Sequence, residues 1–284
     1  MTTSQVQLTV ALLGTPLIER AGRPVAFDTR KAVALLAYLA VTGQVQSRES
    51  LTALLWPEHD RTRGLNALRR TLSVLNSATG GECLVVDRHT IGLHPERVSV
   101  DVTSFREKAA DVHHGHPAER SCRRCLAAFE GAAAIYRDDF LAGFALRDSP
   151  EYDAWQSFQA DSLRRRLGEV LERLVRARTQ AGHPRAALDE ARRWLALDPL
   201  HEPAHAALMR LYAWSGQRSA ALQQYRECVR VLDRELGVAP LSRTTALNDA
   251  IRAGRLPPPE APAVTPPAKD RPVPPAVYDL PLVG

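Results

Sequence analysis

Four arginines and no acidic residue lie between residues 61 and 81, and this stretch has the residue types that contact nucleic acid. With about 100° between successive helical residues, Arg63, Asn66 and Arg70 lie within about 40° of one line along a helix. Arginine pairs bidentately with guanine edges or phosphate, and asparagine pairs with adenine. The spacing therefore predicts a helix face that reads base edges in a DNA groove.

Other basic side chains in residues 1–100 are predicted to contact DNA phosphates, namely Lys31, Arg61, Arg69, Arg88 and His89. Arg88 and His89 fall at the tip of a predicted hairpin, where they can touch a neighbouring phosphate or the minor groove. The stretch from residue 61 to 81 has a local charge of +4, whereas residues 1–100 total only +3. An arginine-rich face that contacts only solvent, with an ordinary polar turn, is the alternative interpretation.

The hydrophobic pattern predicts the elements that must position these side chains. Opposite Arg63, Asn66 and Arg70, four leucines fall within an arc of about 80° of the helix. These leucines predict the buried face of a helix over residues 61–77, and they are Leu65, Leu68, Leu72 and Leu75. Asp60 can cap the start of this helix, and Gly80 can end it. The helix is therefore expected to bury leucine on one side and present arginine and asparagine on the other.

Two shorter helices are predicted before it, over residues 30–42 and 48–56, with Asp28 or Thr29 and then Ser47 as their N-caps. Strand-like runs precede them at residues 6–14, 16–20 and 23–28, and a hairpin is predicted around residues 87–90. Strands, three helices and a hairpin, in that order, are typical of a winged helix-turn-helix. We therefore assign residues 1–100 to a DNA-binding domain.

A second group of side chains has residue types that bind zinc. His113, His116, Cys122 and Cys125, with His114 beside them, form an H-H-x-H-x5-C-x-x-C pattern that offers imidazole and thiolate ligands. The spacing is not diagnostic, and the alternative is that both thiols pack in the protein without metal. No other cofactor is expected.

Motifs of the common enzyme classes are missing from the sequence. It has no glycine-rich phosphate loop, no H-E-x-x-H and no G-x-S-x-G, so we expect a protein that is not an enzyme. The longest apolar run falls short of the roughly 18 residues that a membrane span needs, and the N-terminus does not resemble an export signal. We expect a cytoplasmic protein that associates with the nucleoid and has no membrane partner.

Residues 101–256 show helical periodicity and an internal repeat. Residues 182–197 align with residues 216–231 at a spacing of 34, which is the tetratricopeptide length. Further helices are predicted over residues 126–144 and 152–180, and the second has a stripe predicted to lie in the core: Trp155, Phe158, Leu163, Leu167, Leu171 and Leu174. We predict a tetratricopeptide-like helical repeat domain, because stacked helix pairs bury their faces against one another.

Proline is concentrated at the C-terminal end, with ten prolines in residues 257–281. This density prevents regular helix and sheet and predicts a disordered linker or tail over residues 257–284. The predicted fold class is therefore mainly α with a small β component, in which a winged helix-turn-helix domain precedes the helical repeat domain.

The segments 29–41, 47–58 and 61–76 resemble a known winged helix, that of the Streptomyces antibiotic regulatory protein type, a relative of the OmpR-type domain. Leu54-Leu55-Trp56-Pro57 and Asn66-Ala67-Leu68-Arg69-Arg70 fall in the order and spacing of that family. OmpR-type hairpins often end in a Gly-Tyr pair, where this chain has Thr90-Ile91-Gly92-Leu93. The resemblance is therefore fuller for the helix predicted over residues 61–77 than for the hairpin around residues 87–90.

Residues 136–141, 202–205 and 235–240 are similar to motifs of the bacterial transcriptional activator domain, which follows the winged helix in the same family. The resemblance implies a transcription activator that binds tandem direct repeats in promoter DNA, contacts RNA polymerase and self-associates on DNA. Two alternatives stay open. One is a helical-repeat scaffold that binds a protein and no specific DNA. The other is the N-terminal part of a larger regulator with an ATPase domain, because residues 280–284 resemble the lead-in to the ATPase domain of larger family members.

Overall fold

The computed structural model describes residues 8–110 and 123–259, and helices are its main component, as the sequence predicts. The strands of the N-terminal sheet are β1 (Leu8–Ala11), β2 (Leu17–Arg20), β3 (Arg23–Pro24) and β7 (Val98–Val100). Their order in the sheet is β3-β2-β1-β7, and β7 is parallel to β1. The hydrophobic pattern predicted the first three strands but not β7, which is only three residues long.

Three consecutive helices follow this sheet, α1 (Arg30–Thr42), α2 (Arg48–Leu55) and α3 (Arg61–Thr79). The side chains of Thr29, Ser47 and Asp60 cap them by accepting bonds from the backbone N–H groups of their first turns. Gly43 and Gly80 end α1 and α3 in the left-handed conformation, with φ of 65° and 84°. The predicted caps and stops of these helices are confirmed.

A second small sheet completes the winged helix-turn-helix. The predicted hairpin consists of β5 (Leu84–Val86) and β6 (Thr90–Leu93), and β4 (Gln46–Ser47) pairs with the other side of β6. The strand β4 directly precedes α2, so the hairpin is tied to the helix-turn-helix through backbone bonds. The predicted order of strands, helices and hairpin is confirmed, and β4 adds to it.

The regular elements of the rest of the described chain are helices. The elements are α4 (Asp101–Ala110), α5 (Arg123–Ile135), α6 (Pro150–Gln180), a 3-10 turn (Pro184–Ala187), α7 (Leu188–Leu197), α8 (Glu202–Trp214), α9 (Arg218–Leu236) and α10 (Ser242–Arg252). Gly182 and Gly216, which are 34 residues apart, follow α6 and α8 with φ of 80° and 79°. Each glycine lets the chain reverse into the next helix, so the repeat seen in the sequence corresponds to the α6/α7 and α8/α9 pairs.

Two predictions for this helical part are wrong in detail. The helix predicted over residues 126–144 ends at Ile135, because the chain then leaves the helix so that Phe140 can form backbone bridges with Leu13 and Gly14. Phe158 was predicted to lie in the core but is 63% exposed. At about 100° per residue it points about 140–180° away from Leu163 and Leu167, which form the buried face of α6.

The N-terminal and helical parts pack against each other through one continuous hydrophobic core. Tyr38 of α1 contacts Trp155 of α6, with 4.9 Å between ring centroids. The carboxylate of Asp101 accepts bonds from the backbone N–H groups of Leu12 and Leu13 at 2.8–2.9 Å. The helix-turn-helix is therefore fixed on the helical part rather than connected to it by a free linker.

Candidate nucleic-acid interface

Helix α3 has a buried leucine face and an exposed polar face. Leu68 and Leu75 are fully buried and Leu72 is 7% exposed, whereas Leu65 is only half-buried. The exposed side chains of this helix include all of its predicted DNA contacts, Arg61, Arg63, Asn66, Arg69 and Arg70. All five side chains are accessible to a ligand, with Arg63, Asn66 and Arg70 opposite the leucines, and we call this exposed set the α3 polar face.

Gly64 lets α2 and α3 cross closely, and it was not singled out from the sequence. A Cβ atom at this position would lie 2.2 Å from Cγ2 of Thr52 in α2, which is an overlap rather than a contact. Thr52 is itself held by a 2.7 Å bond from its hydroxyl to the carbonyl of Arg48. A glycine beside the leucine face of an otherwise regular amphipathic helix was the signal for this close approach.

The side chains of the α3 polar face contact one another and their neighbours only weakly. Arg61 pairs with Glu49, and Arg63 lies 3.3 Å from the carboxylate of Asp60. Exposed ion pairs of this kind contribute about 0.2–1 kcal/mol, which contacts with a DNA backbone can replace. The guanidinium groups are therefore oriented but still available to a ligand.

Asn66 is the centre of a small hydrogen-bonded group on this face. Its side-chain oxygen accepts a 3.1 Å bond from Nη1 of Arg69, and its backbone carbonyl accepts a 3.4 Å bond from Nε of Arg70. These contacts leave the side-chain amide nitrogen of Asn66 without a hydrogen bond to any described residue. An asparagine that offers its amide group outward has the donor and acceptor that adenine pairing needs.

The hairpin turn is fixed by Asp87. Its carboxylate accepts bonds from the N–H groups of His89 and Thr90, both at 2.6 Å, and from the Thr90 hydroxyl at 2.7 Å. These bonds lower the pKa of Asp87 to about 2. The bond from the Thr90 hydroxyl is the largest cause, and the two backbone bonds come next. Arg88 and His89 are exposed at the tip of this rigid turn.

Arg48 connects the turn to the helix-turn-helix. Its guanidinium donates a 2.9 Å bond to the carbonyl of Asp87, and its backbone N–H donates a 2.9 Å bond to the carbonyl of His89. Because Arg48 is the first residue of α2, these bonds fix the hairpin tip relative to α2. Arg48 and Asp87 therefore hold the hairpin tip in place, and neither was singled out from the sequence.

Lys31 does not lie where a phosphate contact requires, so that prediction is corrected. Its side chain is only 15% exposed, and its Nζ is 2.9 Å from the carboxylate of Asp148. The same ammonium donates to the backbone carbonyl of Leu55 and to the hydroxyl of Ser149. All three N–H groups are therefore used inside the protein, and Lys31 holds α1 and α2 to the loop that precedes α6.

The predicted zinc ligands are only partly described. His113, His116 and Cys122, as well as His114, lie outside the described residues, whereas Cys125 is 4% exposed in α5. Within residues 8–110 and 123–259, no group of three or more histidine, cysteine or acidic side chains could hold a metal ion. The zinc prediction remains untested.

Comparison with known proteins places this architecture in a family. A family model described as the bacterial transcriptional activator domain matches residues 100–252. Regulatory protein AfsR of Streptomyces griseus is 27% identical over 221 residues, which is 76% of this chain but 22% of that relative. The chain therefore spans about a fifth of the length of this curated relative.

A solved structure has the same fold. Mycobacterium tuberculosis EmbR, determined in complex with a low-affinity phosphopeptide, superimposes with a TM-score of 0.69 at 23% sequence identity. The match covers 90% of this chain and 68% of that chain. The family model and the AfsR relative confirm the resemblance to transcriptional regulators of the Streptomyces antibiotic regulatory protein type, and the EmbR match confirms the fold. In the described parts of the chain, no helix combines the length and apolar character needed to cross a membrane.

Proposed function

Because the chain belongs to the bacterial transcriptional activator domain family, we propose that it is an activator that binds specific promoter DNA through its winged helix. A regulator of this type needs an exposed element that can enter a DNA groove. The single observation that carries the proposal is the α3 polar face, which offers arginine and asparagine opposite buried leucines. An α-helix of this kind has the width of the major groove.

In this proposal the side chains divide into two roles. Arg63, Asn66 and Arg70 read base edges from the exposed side of α3. Arg61, the first residue of α3, and Arg69, on the flank of the helix, contact phosphates. Arg88 and His89 reach the DNA backbone or minor groove from the hairpin tip. The bonds that Arg48 donates and the Asp87 carboxylate accepts support this division, since they hold the hairpin tip in a fixed orientation beside α2.

The helical part would then supply the contacts that convert DNA binding into activation. We propose that it contacts RNA polymerase and a second copy of the chain on tandem direct repeats. The shared core supports this role, because a helical part packed rigidly on the winged helix is oriented by the DNA site. The proposed function also places the protein in the cytoplasm, on the nucleoid.

The experiment is selection of bound duplexes from a random library by the full chain. The expected result is one enriched sequence that occurs as a direct repeat, and its loss in an Arg63→Ala, Asn66→Ala and Arg70→Ala triple variant. The matched control is Arg165→Ala with Arg226→Ala, which removes two exposed arginines from α6 and α9. Enrichment of no sequence by the wild-type chain, or an unchanged site in the triple variant, would favour a protein-binding scaffold instead.

A further inference from the structure

A cavity of about 400 Å³ lies between helices of the helical part. None of its lining residues belongs to α3. Its walls come from α6, α7, α8 and α10. Pockets that bind small molecules measure about 300–1,000 Å³ and are usually formed before the ligand arrives. This cavity has the size of such a pocket, and a DNA duplex is too wide to enter it.

The apolar wall of the cavity contains two tryptophans. Trp194 of α7 is 7% exposed, and its ring is fixed by contact with His201 at 5.2 Å between centroids. Trp214 of α8 is held by a 2.8 Å bond from its indole N–H to the carbonyl of Pro257. Leu211 and Val175 also line the cavity. Fixed indole rings with aliphatic neighbours form a surface on which a flat apolar group can pack.

The polar part of the lining has an excess of positive charge. Three arginines and one glutamate line the cavity, and Arg176 is paired with that glutamate, Glu172, at 2.7 Å. Arg210 of α8 and Arg243 of α10 have no hydrogen bond or ion pair with any residue in the described parts of the chain. Partial desolvation, and then the like charge of Arg243, lower the pKa of the Arg210 guanidinium. Both arginines are exposed residues, so their guanidinium groups can receive an anion that enters the cavity.

We propose that this cavity binds a small organic carboxylate that carries an aromatic ring. The carboxylate lies between Arg210 and Arg243, where the planar guanidinium forks can each donate paired bonds to its oxygens. The ring packs against Trp194 and Trp214. Such a ligand removes the repulsion between the two arginines and joins α8 to α10, and the proposal is independent of DNA binding by α3.

Calorimetric titration of the full chain with 2-naphthoate tests the proposal, with 2-naphthamide as the neutral counterpart and inorganic phosphate as the bare anion. The expected result is one site per chain for 2-naphthoate, with affinity at least about tenfold weaker for the amide and for phosphate. Equal binding of the amide would overturn the role of the arginines. Equal binding of phosphate would overturn the role of the ring, and the absence of 2-naphthoate binding would overturn the site.

Variants locate the site. Arg210→Gln with Arg243→Gln is expected to weaken 2-naphthoate binding at least about tenfold. The control Arg165→Gln with Arg226→Gln removes the same charge from exposed positions outside the cavity and is expected to leave binding unchanged. Ala207→Leu, which adds a larger side chain to the cavity wall and keeps both arginines, is expected to weaken 2-naphthoate binding. Unchanged affinity in the arginine pair variant or in Ala207→Leu, each with a thermal midpoint near that of wild type, would overturn the proposal.

Discussion

Lys31 of α1 and Asp148, which lies just before α6, form an ion pair with 2.9 Å between Nζ and Oδ1. The pair joins the helix-turn-helix to the helical part, and the Lys31 ammonium donates further bonds to Leu55 and Ser149 in the same place. The hydrogen bond from the Lys31 side chain is the largest cause of the lowered pKa of Asp148. A lysine that the sequence suggested as a DNA contact is therefore an internal connection between two parts of the fold.

Lys31→Met is expected to destabilise the protein and to leave the salt dependence of DNA binding unchanged. The substitution removes a charged donor from the carbonyl of Leu55 and the hydroxyl of Ser149, at a cost of about 1–3 kcal/mol in the free energy of unfolding. Denaturant unfolding measures that cost. Arg69→Ala is the comparison, because loss of one phosphate contact reduces the log-log salt slope by about 0.9. A reduced slope in Lys31→Met would restore the phosphate role.

Gly64→Ala is expected to lower the free energy of unfolding by about 1–3 kcal/mol, because its Cβ overlaps the Thr52 methyl group. Thr52→Ser removes that methyl group and keeps the hydroxyl bond to the Arg48 carbonyl. The double variant should therefore recover most of the stability lost by Gly64→Ala. A double-mutant cycle by urea unfolding measures this coupling, and simple additivity of the two changes would refute the close contact.

The Asp87 carboxyl is expected to titrate near pH 2 in the folded protein, below its ordinary value of 3.8. A lowered pKa means that the charged carboxylate stabilises the folded turn above about pH 4, and that this contribution is lost as the pH falls toward 2. Carboxyl-carbon NMR of the folded protein measures the midpoint. Asp87→Asn should remove this part of the pH dependence, and a wild-type midpoint near 4 would show that the Thr90 and backbone bonds do not form.

The local elements of this fold could be predicted because their signals are short-range. Thr29, Ser47 and Asp60 could be predicted as helix caps because residues of these types commonly precede an amphipathic run. Gly182 and Gly216 mark chain reversals at the repeat spacing. The polar face of α3 followed from the same helical periodicity. These features depend on residues within a few turns of one another.

The features that sequence reading missed depend on contacts between distant residues. Lys31 looked like a free cation because its partners Asp148 and Ser149 are more than a hundred residues away in the chain. The helix predicted over residues 126–144 ends early because Phe140 pairs with the N-terminal strand region. Phe158 was different, since a helical wheel of α6 alone would have placed it outside the core.

The most direct test of the account compares Arg70→Ala with Arg226→Ala, an exposed arginine of α9, on the selected duplex and on a scrambled duplex. Fluorescence anisotropy at fixed salt measures both affinities. We predict that Arg70→Ala loses about 1–3 kcal/mol on the selected duplex and much less on the scrambled one, so that specificity falls, while Arg226→Ala changes neither. Equal losses on both duplexes, or no loss at all, would contradict base reading by α3.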